Sequence, residues 1–365
     1  MENRIYEYFS VFIMAWLLVY SLTPFIIRLA SALNFVDKPE ARKIHLKNIP
    51  LLGGLSVATG FVLLCIYDVL ISPGRYLDKP MLGYLAGSII IVLIGIIDDH
   101  RGMKPVVKLA GQIGVSLLFI FSNFQTGELG LMFGSIYISL LIMLLWMVGL
   151  MNALNFLDNM DGIISGMAGI LGLGFFAFAL VNTTQANQEA MALMALIALS
   201  FAGSTFGFLP YNFNPARIFL GDAGSMFIGY FLSSMGILMA RYAANRYNDR
   251  FFYLLPVLLL SYAIFDISLV SYTRRRDGRQ ITQGGRDHST HRMNTILGSV
   301  KITAIMIYTI NVLIVLTSII IFRIGNRHLL IITTVIFAAF FLFFGRKLDK
   351  VPIVVPANQQ KHKKE

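Results

Sequence analysis

The chain is a succession of apolar stretches, each about 17 to 25 residues long, and that repeat length constrains everything else about it. At 1.5 Å per residue such a stretch, wound as a helix, spans the roughly 30 Å of hydrocarbon in a bilayer. Read along the sequence, the spans are 9–32, 51–72, 81–97, 106–122, 133–154, 162–182, 190–210, 223–240, 251–272, 300–323 and 328–345. Only 13% of the 365 residues are charged, against about 25% in a soluble domain, and lipid-facing surface accounts for the deficit. The expected fold is all-α, a polytopic integral membrane protein of about 10–11 transmembrane helices. It should form one multi-helix domain over residues 1–348, followed by a basic tail, 349–365. The first span has no small-residue cleavage site and is too long for a signal-peptide core, so it is expected to stay as a helix.

Basic residues in the loops set the orientation. With the N-terminus outside, the inner loops hold Lys38, Arg42, Lys43, Lys47, Arg101, Lys104, Lys108, Arg217, Arg274, Arg275, Arg276, Arg279, Arg286 and Arg292, and the tail adds Arg346, Lys347, Lys350, Lys361, Lys363 and Lys364. The outer loops hold chiefly Arg75, Lys79, Arg241, Arg246 and Arg250, so residues 241–250 run locally against the rule. The net charge of +11 then reflects topology and contact with anionic lipid, not a nucleic-acid surface. Cys65, the single cysteine, lies mid-span and reads as a packing residue.

Every polar motif falls on the inner face, in VDKPEARKIHLKNIPLLGG, DDHRGMKPVVKLAGQ, NALNFLDNMDG, YNFNPARIFLGDAGS and RRRDGRQITQGGRDHSTHR. An ionisable group at bilayer depth costs about 2.5 to 3.5 kcal/mol on the mildest scales, so carboxylates clustered at the edge of the apolar spans require a reason. Asp98-Asp99 closes the third span. Adjacent carboxylates repel unless a cation lies close, which suits a general base beside a metal or phosphate site; the structural alternative is a solvated helix end neutralised by Arg101 and Lys104. In NFLDNMDG, Asn155, Asp158 and Asp161 fall at three-residue intervals and would share one face of a continuous helix. Such oxygen donors suit Mg²⁺, although a capped helix junction would use the same residues.

In FLGDAGSM, Asp222 stands between small residues that let a phosphate approach, and the helix that follows offers its N-terminus to an anion. Phe219, upstream, is placed to stack on a base; a core or lipid-facing ring is the alternative. GGRDHSTHR presents His288 and His291 with Arg286 and Arg292. With no Cys or third His nearby this is a poor zinc site, and Arg and His donors suit a diphosphate better. Arg274 and Arg275 read as positive-inside anchors, and Asp266, inside a helix near its inner end, reads equally as an Arg partner or a substrate contact. Taken together, acids able to hold a cation, bases able to hold phosphate, and glycines that make room describe a Mg²⁺-dependent phosphate site at an inner membrane edge.

The order DDHRGMKPVVKLAGQ, NFLDNMDG, FLGDAGSM, GGRDHSTHR, spanning about residues 37–295, resembles the polyprenyl-phosphate N-acetylhexosamine-1-phosphate transferases. That family includes the enzymes that start O-antigen, enterobacterial common antigen and teichoic acid synthesis, and the phospho-MurNAc-pentapeptide translocase. The resemblance implies transfer of a sugar 1-phosphate, GlcNAc-1-phosphate first among them, from a UDP-N-acetylhexosamine to undecaprenyl phosphate with release of UMP. It implies Mg²⁺ as cofactor, with Mn²⁺ as a substitute, and a multi-pass protein of the bacterial inner membrane with its active site facing the cytoplasm. By the same resemblance Asp98 is the base acting on the lipid phosphate, with Asp99 beside it, and Asp222 the principal Mg²⁺ ligand, with Asp161 sharing the metal. Asn155, Asp158 and Phe219 fall at substrate positions, the last two recognising uracil. Lys108 matches a lysine near the polyprenyl phosphate, and Arg286, His288, His291 and Arg292 fall in the loop contacting sugar and diphosphate. The translocase carries three consecutive histidines where this chain has His-Ser-Thr-His, which favours a simple UDP-N-acetylhexosamine; GlcNAc, GalNAc, QuiNAc and FucNAc remain open as the sugar. Flat apolar helix faces are compatible with a homodimer. A lipid flippase or secondary transporter is the reading from another class, but such proteins place charges near the midplane and often carry inverted repeats, and none shows here.

Overall fold

The computed structural model describes residues 2–37, 48–71, 78–280 and 285–352. The expected loop residues Lys38, Arg42, Lys43, Lys47 and Arg75, and Lys361, Lys363 and Lys364 of the tail, lie outside the described residues. Among the described residues fourteen α-helices follow one another: α1 (Glu2–Ala32), α2 (Gly53–Ile71), α3 (Lys79–Arg101), α4 (Pro105–Asn123), α5 (Thr126–Met132), α6 (Ile136–Leu157), α7 (Ile163–Asn182), α8 (Gln188–Asn212), α9 (Gly221–Tyr247), α10 (Leu255–Leu259), α11 (Ser261–Arg276), α12 (Ser289–Leu297), α13 (Val300–Ile324) and α14 (Arg327–Asp349). A 3₁₀ turn, Arg250–Leu254, precedes α10, and Val36–Asp37 pairs antiparallel with Ile49–Pro50. The protein is an all-α polytopic membrane protein. Nine of the described helices are long and apolar enough to cross a bilayer.

One of the eleven expected spans takes a different form. The span expected at 251–272 is broken, its halves Arg250–Leu259 and Ser261–Arg276 meeting at 71°. Pro256, in the first turn of α10, has no N–H to bond back into the 3₁₀ turn before it.

Helices α7, α8 and α9 form the interior. Their apolar windows are 72%, 83% and 94% buried, against 28% for α1 and 17% for α14. The interior trio packs against itself and is wrapped by α1 on α8, by α3 and α6 on α9, and by α13 on α7. Aromatic side chains fill the centre: Phe201 stacks on Phe231 with ring centroids 3.5 Å apart, and Phe61 meets both edge-on. The helix starts of α2 and α9 touch through glycine. A Cβ on Gly54 would lie 2.1 Å from the Gly224 amide nitrogen, so no larger residue permits that crossing.

The fold also explains the arginines that run against the orientation rule. Helix α9 continues to Tyr247, beyond the expected 223–240, so Arg241 and Arg246 are helical rather than loop residues. Arg241 bonds the Asn123 carbonyl at 3.2 Å, pairs with Glu128 and lies over the Phe124 ring. Arg246 donates to the Val181 carbonyl. Both guanidiniums are held by partners on neighbouring segments.

Candidate active site

Three helix ends converge where the carboxylates lie: the C-terminus of α3, the C-terminus of α6 and the N-terminus of α9. Helix α3 carries Asp98 and Asp99 in its last turn, and consecutive helical residues point about 100° apart. The two carboxylates therefore have different partners. Asp99 Oδ1 accepts the Asp222 N–H at 2.9 Å and Oδ2 accepts the Ala223 N–H at 3.2 Å. These are first-turn donors of α9 that have no partner inside the helix, and Leu220, the residue preceding α9, offers no side-chain cap. A carboxylate from α3 caps α9 instead. The expectation that this N-terminus is open to a phosphate is corrected for those two amides: a carboxylate already holds them. Gly221 has φ +69°, and a Cβ there would sit 2.5 Å from Asp99 Oδ2, so the approach of the two helices depends on glycine.

Asp98 turns the other way. Its Oδ1 accepts the Met103 N–H at 2.7 Å, and its Oδ2 lies 2.8 Å from Lys108 Nζ. The same ammonium is 2.5 Å from Asp222 Oδ2. Asp222 Oδ1 accepts Asn155 Nδ2 at 2.8 Å, and Asn155 also donates to Ser225 Oγ at 2.9 Å. One turn later on α4 and one turn earlier on α6, Asn152 donates to the buried Gln112 at 2.8 Å. That bond locks α4 to α6 at the level where Lys108 and Asn155 emerge.

The NFLDNMDG segment is not one helix. Helix α6 ends at Leu157, Asp158 is its cap, and Gly162, at φ +74°, opens α7. Asn155, Asp158 and Asp161 therefore do not share a helical face as expected; they come from a last turn, a cap and a loop. Asp161 Oδ2 accepts Asn214 Nδ2 at 2.8 Å and the Ala216 N–H at 3.0 Å, which ties this loop to the segment after α8. Burial, with the charges of Asp222, Asp99 and Asp161, pushes the Asp158 carboxyl up to about 8. Phe219 is partly exposed, and its backbone is pinned by Pro50 O at 2.8 Å and Gly53 N at 2.9 Å.

The last loop abuts this cluster through Thr290, which donates to Asn159 at 2.6 Å. Its internal wiring differs from the sequence expectation. Arg274 is buried rather than a surface anchor, and it grips Asp287 through Nε at 2.9 Å and Nη2 at 2.7 Å. Burial alone would raise Asp287, but Arg274, His288 and Arg279 hold it down at about 2. Arg292 donates to the Asp287 and Leu348 carbonyls at 2.9 and 3.0 Å, so its guanidinium fastens the loop to the end of α14. Asp266 pairs with His288 Nδ1 at 2.8 Å. Burial, with the charges of His288 and Arg286, lowers His291 to about 4, leaving its imidazole neutral at physiological pH. The Asp287 grip, thirteen residues from Arg274, and the Asp266 pair, twenty-two residues from His288, have no local sequence signal.

Among the described residues no three His, Cys, Asp or Glu side chains converge closely enough to hold a metal ion unaided. The donors present are nonetheless hard oxygens. An incomplete carboxylate set fits Mg²⁺, which usually takes one or two carboxylates and completes its shell with water and substrate phosphates.

Comparison with known proteins places this site in context. Residues 81–240 match the model for glycosyl transferase family 4. The chain is 28% identical over 312 residues to a probable undecaprenyl-phosphate N-acetylglucosaminyl 1-phosphate transferase of Bacillus subtilis, covering 85% of this chain and 84% of that protein. It is 30% identical over 312 residues to a decaprenyl-phosphate N-acetylglucosaminephosphotransferase of Mycobacterium tuberculosis, covering 80% and 77%. A shorter stretch of 109 residues, 30% of this chain and 28% of the relative, is 33% identical to an undecaprenyl-phosphate alpha-N-acetylglucosaminyl 1-phosphate transferase of Escherichia coli O157:H7.

Proposed function

This chain belongs to glycosyl transferase family 4, and we propose that it transfers GlcNAc-1-phosphate from UDP-GlcNAc to undecaprenyl phosphate, with UMP as the second product. The reading is supported by the names of its relatives and, above all, by one observation: carboxylates from α3 and α9 meet at helix ends around a single ammonium, Lys108. In the reaction an oxygen of the lipid phosphate attacks the β-phosphorus of the nucleotide sugar. The bond from that phosphorus to the bridging oxygen breaks, and UMP leaves. Asp98 takes the proton of the lipid phosphate. Asp99 caps α9 and so fixes Asp222. Asp222 and Asp161 are the residues that would hold Mg²⁺, with Mn²⁺ as a substitute; the bound cation supplies charge neutralisation for the phosphoryl group in flight. Lys108 offsets the carboxylates until substrate arrives and then lies beside the acceptor phosphate. Phe219 stacks on uracil with Asp158 at the base edge, and the loop carrying Arg286, His288 and His291 faces sugar and diphosphate.

This reading places the carboxylate end of the bundle at the cytoplasmic side of the bacterial inner membrane, where nucleotide sugars are made. The test is UMP release by purified protein in detergent with undecaprenyl phosphate, Mg²⁺ and a panel of UDP-N-acetyl sugars, with EDTA and lipid-free controls. Lipid- and metal-dependent UMP from UDP-GlcNAc supports the reading. Release from a different donor alone overturns the sugar, and none from any donor by folded protein overturns the reaction.

A further inference from the structure

Asp266 is wholly buried, five residues into α11. A carboxylate so placed must have its charge compensated or it destabilises the fold. Its compensation is complete and comes from one place, the start of α12. Oδ1 accepts the Ser289 N–H at 2.8 Å and the Ser289 hydroxyl at 2.6 Å. Oδ2 lies 2.8 Å from His288 Nδ1. Tyr262, one turn earlier on α11, sits 3.0 Å from Ser289 Oγ, and it too is fully buried. Arg274 and Arg279 are directed to Asp287 instead.

An ionised carboxylate can only accept hydrogen bonds. With Oδ1 already taking both Ser289 donors, the contact at Oδ2 requires a proton on His288 Nδ1. A neutral imidazole holds that proton in its less common tautomer and a protonated one holds it in any case; either way Nε2 is the outward atom on the opposite edge of the ring. Nε2 makes no hydrogen bond among the described residues, although His288 is only 4% exposed. A His ring oriented by a carboxylate at one nitrogen and open at the other is the arrangement by which proteins fix a reactive imidazole. The neighbourhood suits an anion: Arg286 lies close enough to act electrostatically on His291, and Thr290 ties the same turn to the Asp158 loop.

We propose that Asp266 is a positioning residue that sets the tautomer and direction of His288, so that His288 Nε2 faces the diphosphate of the donor. The assignment rests on the transferase reading for what Nε2 meets, but the tautomer itself is independent of it. Nothing in the sequence marks the pair, because the two residues are twenty-two positions apart across a loop.

The test is nitrogen NMR of protein carrying ¹⁵N-histidine, with the His288 signals assigned by their loss in His288→Gln. The wild type should show His288 protonated at Nδ1; protonation at Nε2 alone would overturn the proposal before any Asp266 variant is made. In Asp266→Asn the amide can donate toward the ring, so the proton should move to Nε2. In that variant kcat for UMP release should fall about 10- to 100-fold, the range typical for loss of an orienting partner, with KM for the nucleotide sugar within a few-fold of wild type. Ser289→Ala removes one bond to Oδ1 and leaves the ring contact, so it should keep the Nδ1–H tautomer and most of the turnover. Equal loss of turnover in Asp266→Asn and Ser289→Ala, with the tautomer unchanged, would reduce Asp266 to a helix-packing role and overturn the proposal. A wild type with the expected tautomer and no UMP from any donor would remove the transferase reading while leaving the ring orientation standing.

Discussion

Replacing Lys108 by methionine removes the ammonium shared by Asp98 and Asp222 and keeps most of the side chain's length. At 2.8 Å and an effective dielectric of about 20, the Asp98 contact carries ~6 kcal/mol of gross Coulomb attraction. Desolvation cancels much of that, and removing one partner of a buried pair costs about 3–5 kcal/mol in practice. The three side chains keep 12–32% exposure, so the lower end, about 3 kcal/mol, is expected at pH 7. Proton uptake sets a ceiling on the loss. From a reference carboxyl value near 3.9, protonating one stranded aspartate costs about 4 kcal/mol at pH 7 and about 1.5 kcal/mol at pH 5. The stability gap between variant and wild type should therefore narrow to about 1.5 kcal/mol at pH 5. With an unfolding entropy of about 2.1 cal/mol/K per residue over 365 residues, a 3 kcal/mol loss lowers Tm by about 4 °C. Thermal unfolding in detergent at the two pH values measures this, and saturating Mg²⁺ should restore part of the loss at pH 7. An unchanged Tm at pH 7, or a gap that stays the same at pH 5, would refute the bridging role.

Four further outcomes are expected. Asp222→Asn should reduce UMP release by more than about 100-fold and weaken Mn²⁺ binding followed by electron paramagnetic resonance; near-normal turnover would remove it from the metal site. Asp98→Asn should lower kcat with little change in nucleotide-sugar affinity, whereas Asp99→Asn should chiefly lower Tm, because it weakens the cap on α9; matching profiles would show that the two carboxylates are interchangeable. Phe219→Ala should weaken UDP-sugar binding by about 10-fold, of the order of 1–3 kcal/mol for a base–aromatic stack, and leave polyprenyl phosphate binding intact; equal loss of both would remove the stacking role. Asp158, pushed up to about 8 by burial and by the charges of Asp222, Asp99 and Asp161, binds its proton more tightly folded than unfolded. Its contribution is thus fully present below about pH 4 and lost as pH rises toward 8, so metal-free Asp158→Asn should lose less stability than wild type between pH 5 and 8, and parallel curves would contradict this.

The helical architecture was legible because lipid imposes one rule on every span, and each of the eleven expected spans corresponds to a helix or, at 250–276, to a broken pair. What the sequence did not reveal falls into two physical kinds. Charge misled where a long side chain reaches a partner on another element: Arg241 and Arg246 read as loop residues, yet the α9 ladder continues past them because Glu128 and two backbone carbonyls receive their guanidiniums. Arg274 read as an anchor because it opens a run of three arginines at a helix end, but its partner Asp287 lies beyond the next turn. Periodicity misled at NFLDNMDG, where a three-residue spacing suggested a helical face. Gly162, in the left-handed region, turns the chain into α7 and sends Asp161 to the 214–216 segment instead.

The same long-range logic explains why Asp98 and Asp99 stand side by side. A single carboxylate at the end of α3 could hold the first amides of α9 or face Lys108, but not both, because the two directions differ by about 100° around the helix. Asp99 brings α9 in by its N-terminus, and that contact sets where Asp222 begins. Asp98 and Asp222 can then share one ammonium only because Asp99 has fixed the spacing between their helices. The glycines complete the argument. Any side chain on Gly221 would meet Asp99, and one on Gly95 would meet the Ala223 backbone at 2.3 Å. The carboxylates of the site are therefore held at their mutual distances by backbone packed against backbone, which resists the repulsion that like charges at a helix junction would otherwise turn into helix separation.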